Sequence, residues 1–138
     1  MAGKRHQKIL VVDDDQQLLE MLYRFLTYQG FHVKTGCHGG EGYEELGRDS
    51  FDMVITDIYM PHMNGLELLD KIEQEYAHIV ILAMTGFPSP EIHEKVLEKG
   101  AYDCMVKPFP LKLLMTTIEK CFKQSGSDTP PSKTIPEN

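Results

Sequence analysis

No apolar run in this chain is longer than a strand. The longest fall far short of the roughly 20 residues that cross a bilayer. The opening MAGKRHQ is too short and polar for a signal peptide. The expectation is a cytoplasmic protein with no membrane partner. Cysteine is scarce: Cys37, Cys104 and Cys121 are an odd number, with neither CxxC nor zinc-site spacing. That excludes a disulfide framework and a redox pair, and predicts reduced thiols. Basic residues are in deficit, 14 Lys and Arg against 21 Asp and Glu, for a net charge of −7. A nucleic-acid-binding surface would be basic, so direct nucleic-acid contact is not expected. The six histidines include no HxxxH or HxH pair, which argues against a histidine metal site. Met53, Met60, Met84 and Met115 read as core or loop filler.

What is present is an alternation of apolar runs with helical patterns, which predicts a parallel α/β sheet. Ile9 to Val12 suits a strand buried on both faces. Leu18, Leu19, Leu22, Phe25 and Leu26 follow at helical spacing, with Asp15 as a candidate N-cap and Gly30 where a C-cap glycine belongs. Phe31 to Thr35 is a more polar strand, expected at an edge. Gly39 to Arg48 predicts only a weak helix, because each of its four glycines lowers helix propensity by ~1 kcal/mol relative to Ala. A third strand runs from Met53 to Thr56 and ends at Asp57. Pro61 and Asn64-Gly65 mark a loop, and Leu66, Leu69 and Ile72 stripe a third helix. Ile79 to Met84 is the clearest buried strand. Pro90 to Lys99 predicts a fourth helix closed by Gly100, Asp103 to Val106 a short strand, and Leu111 to Phe122 a last helix. The stretch SGSDTPPSKTIPEN, from Ser125 onward, reads as a disordered tail or linker stub. Five βα units with right-handed crossovers place helices on both faces.

Side chains at the carboxyl ends of parallel strands meet on one rim of the sheet. Asp13 and Asp14 follow the first strand, Asp57 ends the third, Thr85 ends the fourth and Lys107 follows the fifth. If the strand order is 2-1-3-4-5, the carboxylates flank the topological switch point. Three carboxylates at ~4–5 Å repel by about 3–4 kcal/mol per pair at an effective dielectric near 20. A hard divalent cation such as Mg²⁺ relieves this and keeps waters that phosphoryl oxygens can replace. Lys107 adds a fixed positive charge and Thr85 a hydroxyl donor. These are the parts phosphoryl transfer needs, and a carboxylate such as Asp57 can be the nucleophile. Each element alone has a plainer reading: Asp13-Asp14-Asp15 as a turn and cap, Asp57 as a turn residue, Lys107-Pro108 as a surface loop. Their joint placement at the right strand ends carries the case. Gly39-Gly40-Glu41-Gly42 matches neither the P-loop nor GxGxxG and is not read as a phosphate cradle.

The motifs ILVVDDD, DMVITDIYMPHMNGLELL, ILAMTG and MVKPF resemble, in order and spacing, the receiver domain of bacterial two-component response regulators. The resemblance spans nearly all of residues 8–123, leaving residues 1–7 as an extension and 124–138 as a tail or linker stub. It implies a flavodoxin-like doubly wound five-stranded parallel sheet, order 2-1-3-4-5, with five helices. It implies that Asp57 accepts a phosphoryl group from a histidine kinase or histidine phosphotransfer protein. It implies Mg²⁺ (or Mn²⁺) held by Asp13, Asp14, Asp57 and the backbone carbonyl of Tyr59, and phosphoryl contacts from Thr85 and Lys107. The Lys107-Pro108 bond is expected to be cis. Such a protein is not a dedicated enzyme, although it phosphorylates itself from phosphodonors and dephosphorylates itself. Its output is a shift of the face around the fourth helix, fifth strand and last helix, and a homodimer is one form it can take. One position departs from the pattern: three residues before Lys107, where the family carries Tyr or Phe, stands Cys104. A thiol cannot sweep out a ring's volume, so the usual threonine–aromatic coupling is expected to be weakened, with Thr85 and the loop before the fourth helix still responding. Tyr59 and Phe87, two residues after Asp57 and Thr85, are expected to flank the approach of water to the phosphoryl group.

Two other classes remain for test. A phosphorylation-independent scaffold has no need of all five polar residues. A haloacid-type phosphatase would carry DxDx[TV], and TDIYM lacks the second aspartate.

Overall fold

The computed structural model describes residues 5–60 and 65–125. The elements alternate as β1 (Lys8–Val12), α1 (Gln16–Tyr28), β2 (His32–Gly36), α2 (Gly39–Arg48), β3 (Met53–Asp57), α3 (Gly65–Glu75), β4 (Val80–Thr85), α4 (Pro90–Glu98), β5 (Ala101–Val106) and α5 (Leu111–Ser125). The strands form one sheet in the order β2-β1-β3-β4-β5, with every pairing parallel. This is the flavodoxin-like doubly wound arrangement, with the polar β2 at an edge. The expected tail beyond residue 125 lies outside the described residues, as do Pro61 and Asn64 of the expected loop.

Strand side chains alternate between faces, so each central strand feeds two cores. Leu10 and Val12 join Val54, Leu46, Leu68, Leu69 and Val96 on the α2–α3–α4 side. Ile9 and Val11 join Leu19, Leu22, Leu26, Leu114 and Ile118 on the α1–α5 side. Met53, Met60 and Met84 are buried and Met115 packs against the second core, as core filler should.

Local chemistry sets the ends of the elements. Asp15 caps α1 through its carboxylate, which accepts from the Gln17 and Leu18 amides. Gly30 and Gly100 sit at φ of 103° and 102°, the left-handed conformation that closes α1 and α4 and that L side chains rarely adopt. The glycine-rich α2 forms in full. His38 Nδ1 accepts from the Glu41 amide, and Glu41 Oε1 accepts from the Cys37 amide at 2.5 Å. Tertiary packing adds to this cap, because a Cβ on Gly42 would meet a Val12 methyl at 2.8 Å. β5 starts two residues earlier than its apolar run predicts. A bulge leaves Tyr102 between the paired positions Ala101 and Asp103, opposite Ile81 and Leu82, and a bulge breaks the period-2 pattern. On the N-terminal side, Arg5 donates to the Gln29 carbonyl at 2.9 Å and lies over the Phe31 ring.

Gly65 does more than mark a loop. It opens α3 with its amide donating to the Ile58 carbonyl, and a methyl group there would overlap the Asp57 carbonyl oxygen and Ile58 Cα. Gly65→Ala is therefore expected to destabilise the fold by about 1–3 kcal/mol, the usual cost of overpacking. Urea denaturation measures it, and a midpoint equal to wild type would show that the segment shifts at no cost.

Candidate functional site

The rim at the carboxyl ends of β1, β3, β4 and β5 gathers the expected polar residues. Ligand oxygens of Asp13, Asp14 and Asp57 all lie within 4.8 Å of one another, with Asp13 and Asp57 buried and Asp14 exposed. Asp13 is held by its own turn: Oδ1 accepts from the Asp15 amide at 2.9 Å, and its backbone amide continues the β1–β2 ladder to the Gly36 carbonyl. Asp57 sits one residue before Ile58, whose amide donates to the Met84 carbonyl. Asp57 Oδ1 accepts from the Tyr59 amide at 3.2 Å. These backbone bonds aim both carboxylates into one crevice.

Lys107 supplies the counter-charge. Its Nζ donates to Asp13 Oδ2 at 2.8 Å and to Asp57 Oδ2 at 3.3 Å, spanning 94 and 50 residues of sequence. Its backbone amide donates to the Thr85 carbonyl at 2.8 Å, which ties the end of β5 to the end of β4. The Lys107-Pro108 peptide is cis. Burial lowers the Lys107 pKa, but the hydrogen bond and charge of Asp13, with Asp57 behind it, outweigh burial and raise it. Asp13 is also raised, first by burial and further by the neighbouring Asp57 charge, although Lys107 and the Asp15 amide oppose this. A buried carboxylate pair with one ammonium is thus under-compensated. The donor set is hard oxygen and clustered, which fits a small hard divalent cation.

Thr85 is buried at the same rim. Its Oγ1 accepts from the Phe87 amide at 2.9 Å. Tyr59 and Phe87 do not turn away separately. Their rings meet edge to face with centroids 5.8 Å apart, and they stay 43% and 73% exposed. Each is anchored through its backbone to a site side chain, Tyr59 to Asp57 and Phe87 to Thr85. Sequence reasoning placed these residues at the site but missed the direct Phe87–Thr85 bond and the close approach of Gly65 to Asp57. Neither has a sequence signal beyond adjacency. Cys104 lies on β5 next to the crevice, and burial, with Asp103 and Asp57 nearby, pushes its thiol up to about 11.

A doubly wound parallel sheet that gathers three carboxylates, a lysine and a threonine on one rim defines the class: a flavodoxin-like fold with an acidic crevice that could hold a divalent cation. Residues 9–119 match the family described as response regulator receiver domain. The chain belongs to that family. It is 34% identical over 120 residues to a transcriptional regulatory protein, CpxR homolog, of Haemophilus influenzae, covering 87% of this chain and 52% of that one. It is 33% identical over 125 residues to the transcriptional regulatory protein ZraR of Salmonella typhimurium, covering 88% and 28%. The chain therefore spans about half the length, or less, of these curated relatives. Among solved structures, a CheY-like response regulator receiver domain protein from Methanospirillum hungatei superposes with a TM-score of 0.81 at 29% identity, covering 84% of this chain and 93% of that one. No helix among the described residues is long and apolar enough to cross a membrane.

Proposed function

We propose that this chain is a cytoplasmic phosphoacceptor switch in which Asp57 takes a phosphoryl group from a phosphohistidine on a histidine kinase or phosphotransfer protein. An Asp57 carboxylate oxygen forms the new P–O bond as the donor's P–N bond breaks and imidazole leaves. The observation that carries this reading is the convergence of Asp13, Asp14 and Asp57 with Lys107 bridging two of them. Mg²⁺ (or Mn²⁺) would be held by those three carboxylates and the Tyr59 carbonyl, and when bound it withdraws charge from the phosphoryl oxygens. Lys107 is placed to leave Asp57 Oδ2 for a phosphoryl oxygen, so that the incoming charge meets a donor already in position. Thr85 can give its hydroxyl proton to a second phosphoryl oxygen while Phe87 still donates to its Oγ1. Movement of Thr85 would pull on the Phe87 amide and on the loop leading to α4. The face made by α4, β5 and α5 is the proposed output. A downstream target or an output domain would read that face, and a homodimer is one form the switch can take.

Incubation with acetyl phosphate and Mg²⁺, followed by intact mass, tests the reading. One added phosphoryl group is expected on wild type and none on Asp57→Asn. No adduct on wild type would favour a phosphorylation-independent scaffold. Sustained release of phosphate from many substrates would instead indicate a phosphatase.

A further inference from the structure

Beside the phosphoacceptor crevice lies a pocket of about 440 Å³ that shares only Thr85 with the residues proposed to meet the phosphoryl group. Its walls come from the loop after β4, the first turn of α4 and the strand β5. Pro88, Pro90, Ile92 and Val106 supply apolar surface, and Cys104 lines it with a small thiol. The volume falls within the roughly 300–1,000 Å³ of small-molecule sites, where an apolar lining surrounds a few polar groups. The polar groups here are Thr85, Ser89 and His93. Nearby side chains leave it open. The exposed Phe87 ring, next to wall residue Pro88, leans on Tyr59 instead.

We propose that this pocket binds a small uncharged aromatic molecule, and that occupancy is felt at the phosphoacceptor through Thr85. The choice of an aromatic follows from the walls. Two prolines and an imidazole are among the lining residues, and a rigid ring loses little rotational freedom on binding. An apolar cavity of about 150 Å³ already takes a benzene ring, so one or two fused rings fit here. Neutrality follows from the charges. His93 lies 3.4 Å from Asp103, so the imidazole faces a carboxylate and offers no free cation for an anionic ligand. Thr85 forms part of the wall and holds the Phe87 amide, so a ring against it restrains the hydroxyl that phosphorylation must move. This coupling rests on the phosphoacceptor reading. The binding does not.

The test uses the whole chain, unphosphorylated, titrated with indole and separately with benzoate, and followed by amide NMR. Indole is expected to shift Ile92, His93, Cys104 and Val106 saturably, with benzoate at least about 10-fold weaker. Replacements at Cys104 grade the pocket volume. Cys104→Ala should bind at least as well as wild type, Cys104→Met more weakly, and Cys104→Phe at least about 10-fold more weakly. An unaltered spectrum elsewhere establishes that each variant is folded. No saturable shift, equal affinity across the series, or benzoate binding as tightly as indole overturns the assignment. So do concentration-dependent shifts of the same amides without probe, which mean that a second copy fills the pocket. Acetyl phosphate uptake is then measured with and without saturating indole. A change of about 2-fold or more in wild type that Cys104→Phe abolishes supports the coupling, and an unchanged rate in wild type removes it. Failure of uptake without probe strikes the phosphoacceptor reading alone.

Discussion

The phosphorylated protein is expected to lose its phosphoryl group about 10²-fold faster when both Tyr59 and Phe87 are replaced, as in Tyr59→Asn with Phe87→Glu. Hydrolysis requires water in line with the Asp57–phosphorus bond, and a misplaced nucleophile costs on the order of 10²-fold. Both rings rise from residues whose amides are bonded to Asp57 and Thr85, so they stand at the rim of the site. Their edge-to-face contact at 5.8 Å contributes about 0.5–1.5 kcal/mol beyond burial. Each ring therefore holds the other in place. Removing one frees its neighbour, so single variants should already give part of the acceleration, and the two effects should not add. Decay is followed by intact mass in Mg²⁺ without kinase or phosphatase. Unchanged or slower decay in the double variant would show that the rings do not exclude water.

Saturating Mg²⁺ is expected to stabilise the fold by about 2.7 kcal/mol at 100-fold above its dissociation constant. For a domain of this size that is a rise in melting temperature on the order of 5–10 °C. The cause is the acidic cluster. Asp13 is buried beside Asp57, and one ammonium serves both. Because burial raises the Asp13 pKa in the folded state, the folded chain binds its proton more tightly than the unfolded chain. This contribution to stability is full below the unfolded value and is lost as pH rises through the folded value. Metal-free protein at neutral pH therefore carries the penalty that Mg²⁺ relieves, and the Mg²⁺ increment should shrink as Asp13 is protonated at lower pH. Asp57→Ala should raise stability in EDTA and reduce the response to metal. Identical melting curves in EDTA and Mg²⁺ would remove the metal assignment.

The elements were legible where periodicity and caps agreed. β1, β3 and β4 are apolar runs, α1 has both a capping Asp15 and a closing Gly30, and α4 closes at Gly100. Legibility failed where a long-range contact overrode local preference. The glycines of α2 predict weakness, yet Gly42 is what lets that helix approach Val12. The start of β5 was hidden because the bulge at Tyr102 shifts its alternation by one residue.

The site divides in the same way. By itself the sequence determined which residues collect at the rim. In a parallel βα chain every strand delivers its last residues to the same edge, and Asp13, Asp14, Asp57, Thr85 and Lys107 each stand there. Only the tertiary structure decided which atoms meet. Lys107 bridges Asp13 and Asp57, Phe87 is bonded to Thr85, Tyr59 and Phe87 share one contact, and Cys104 lines the pocket beside Thr85. Those choices depend on side-chain rotamers and on packing between elements tens of residues apart, which no local pattern encodes.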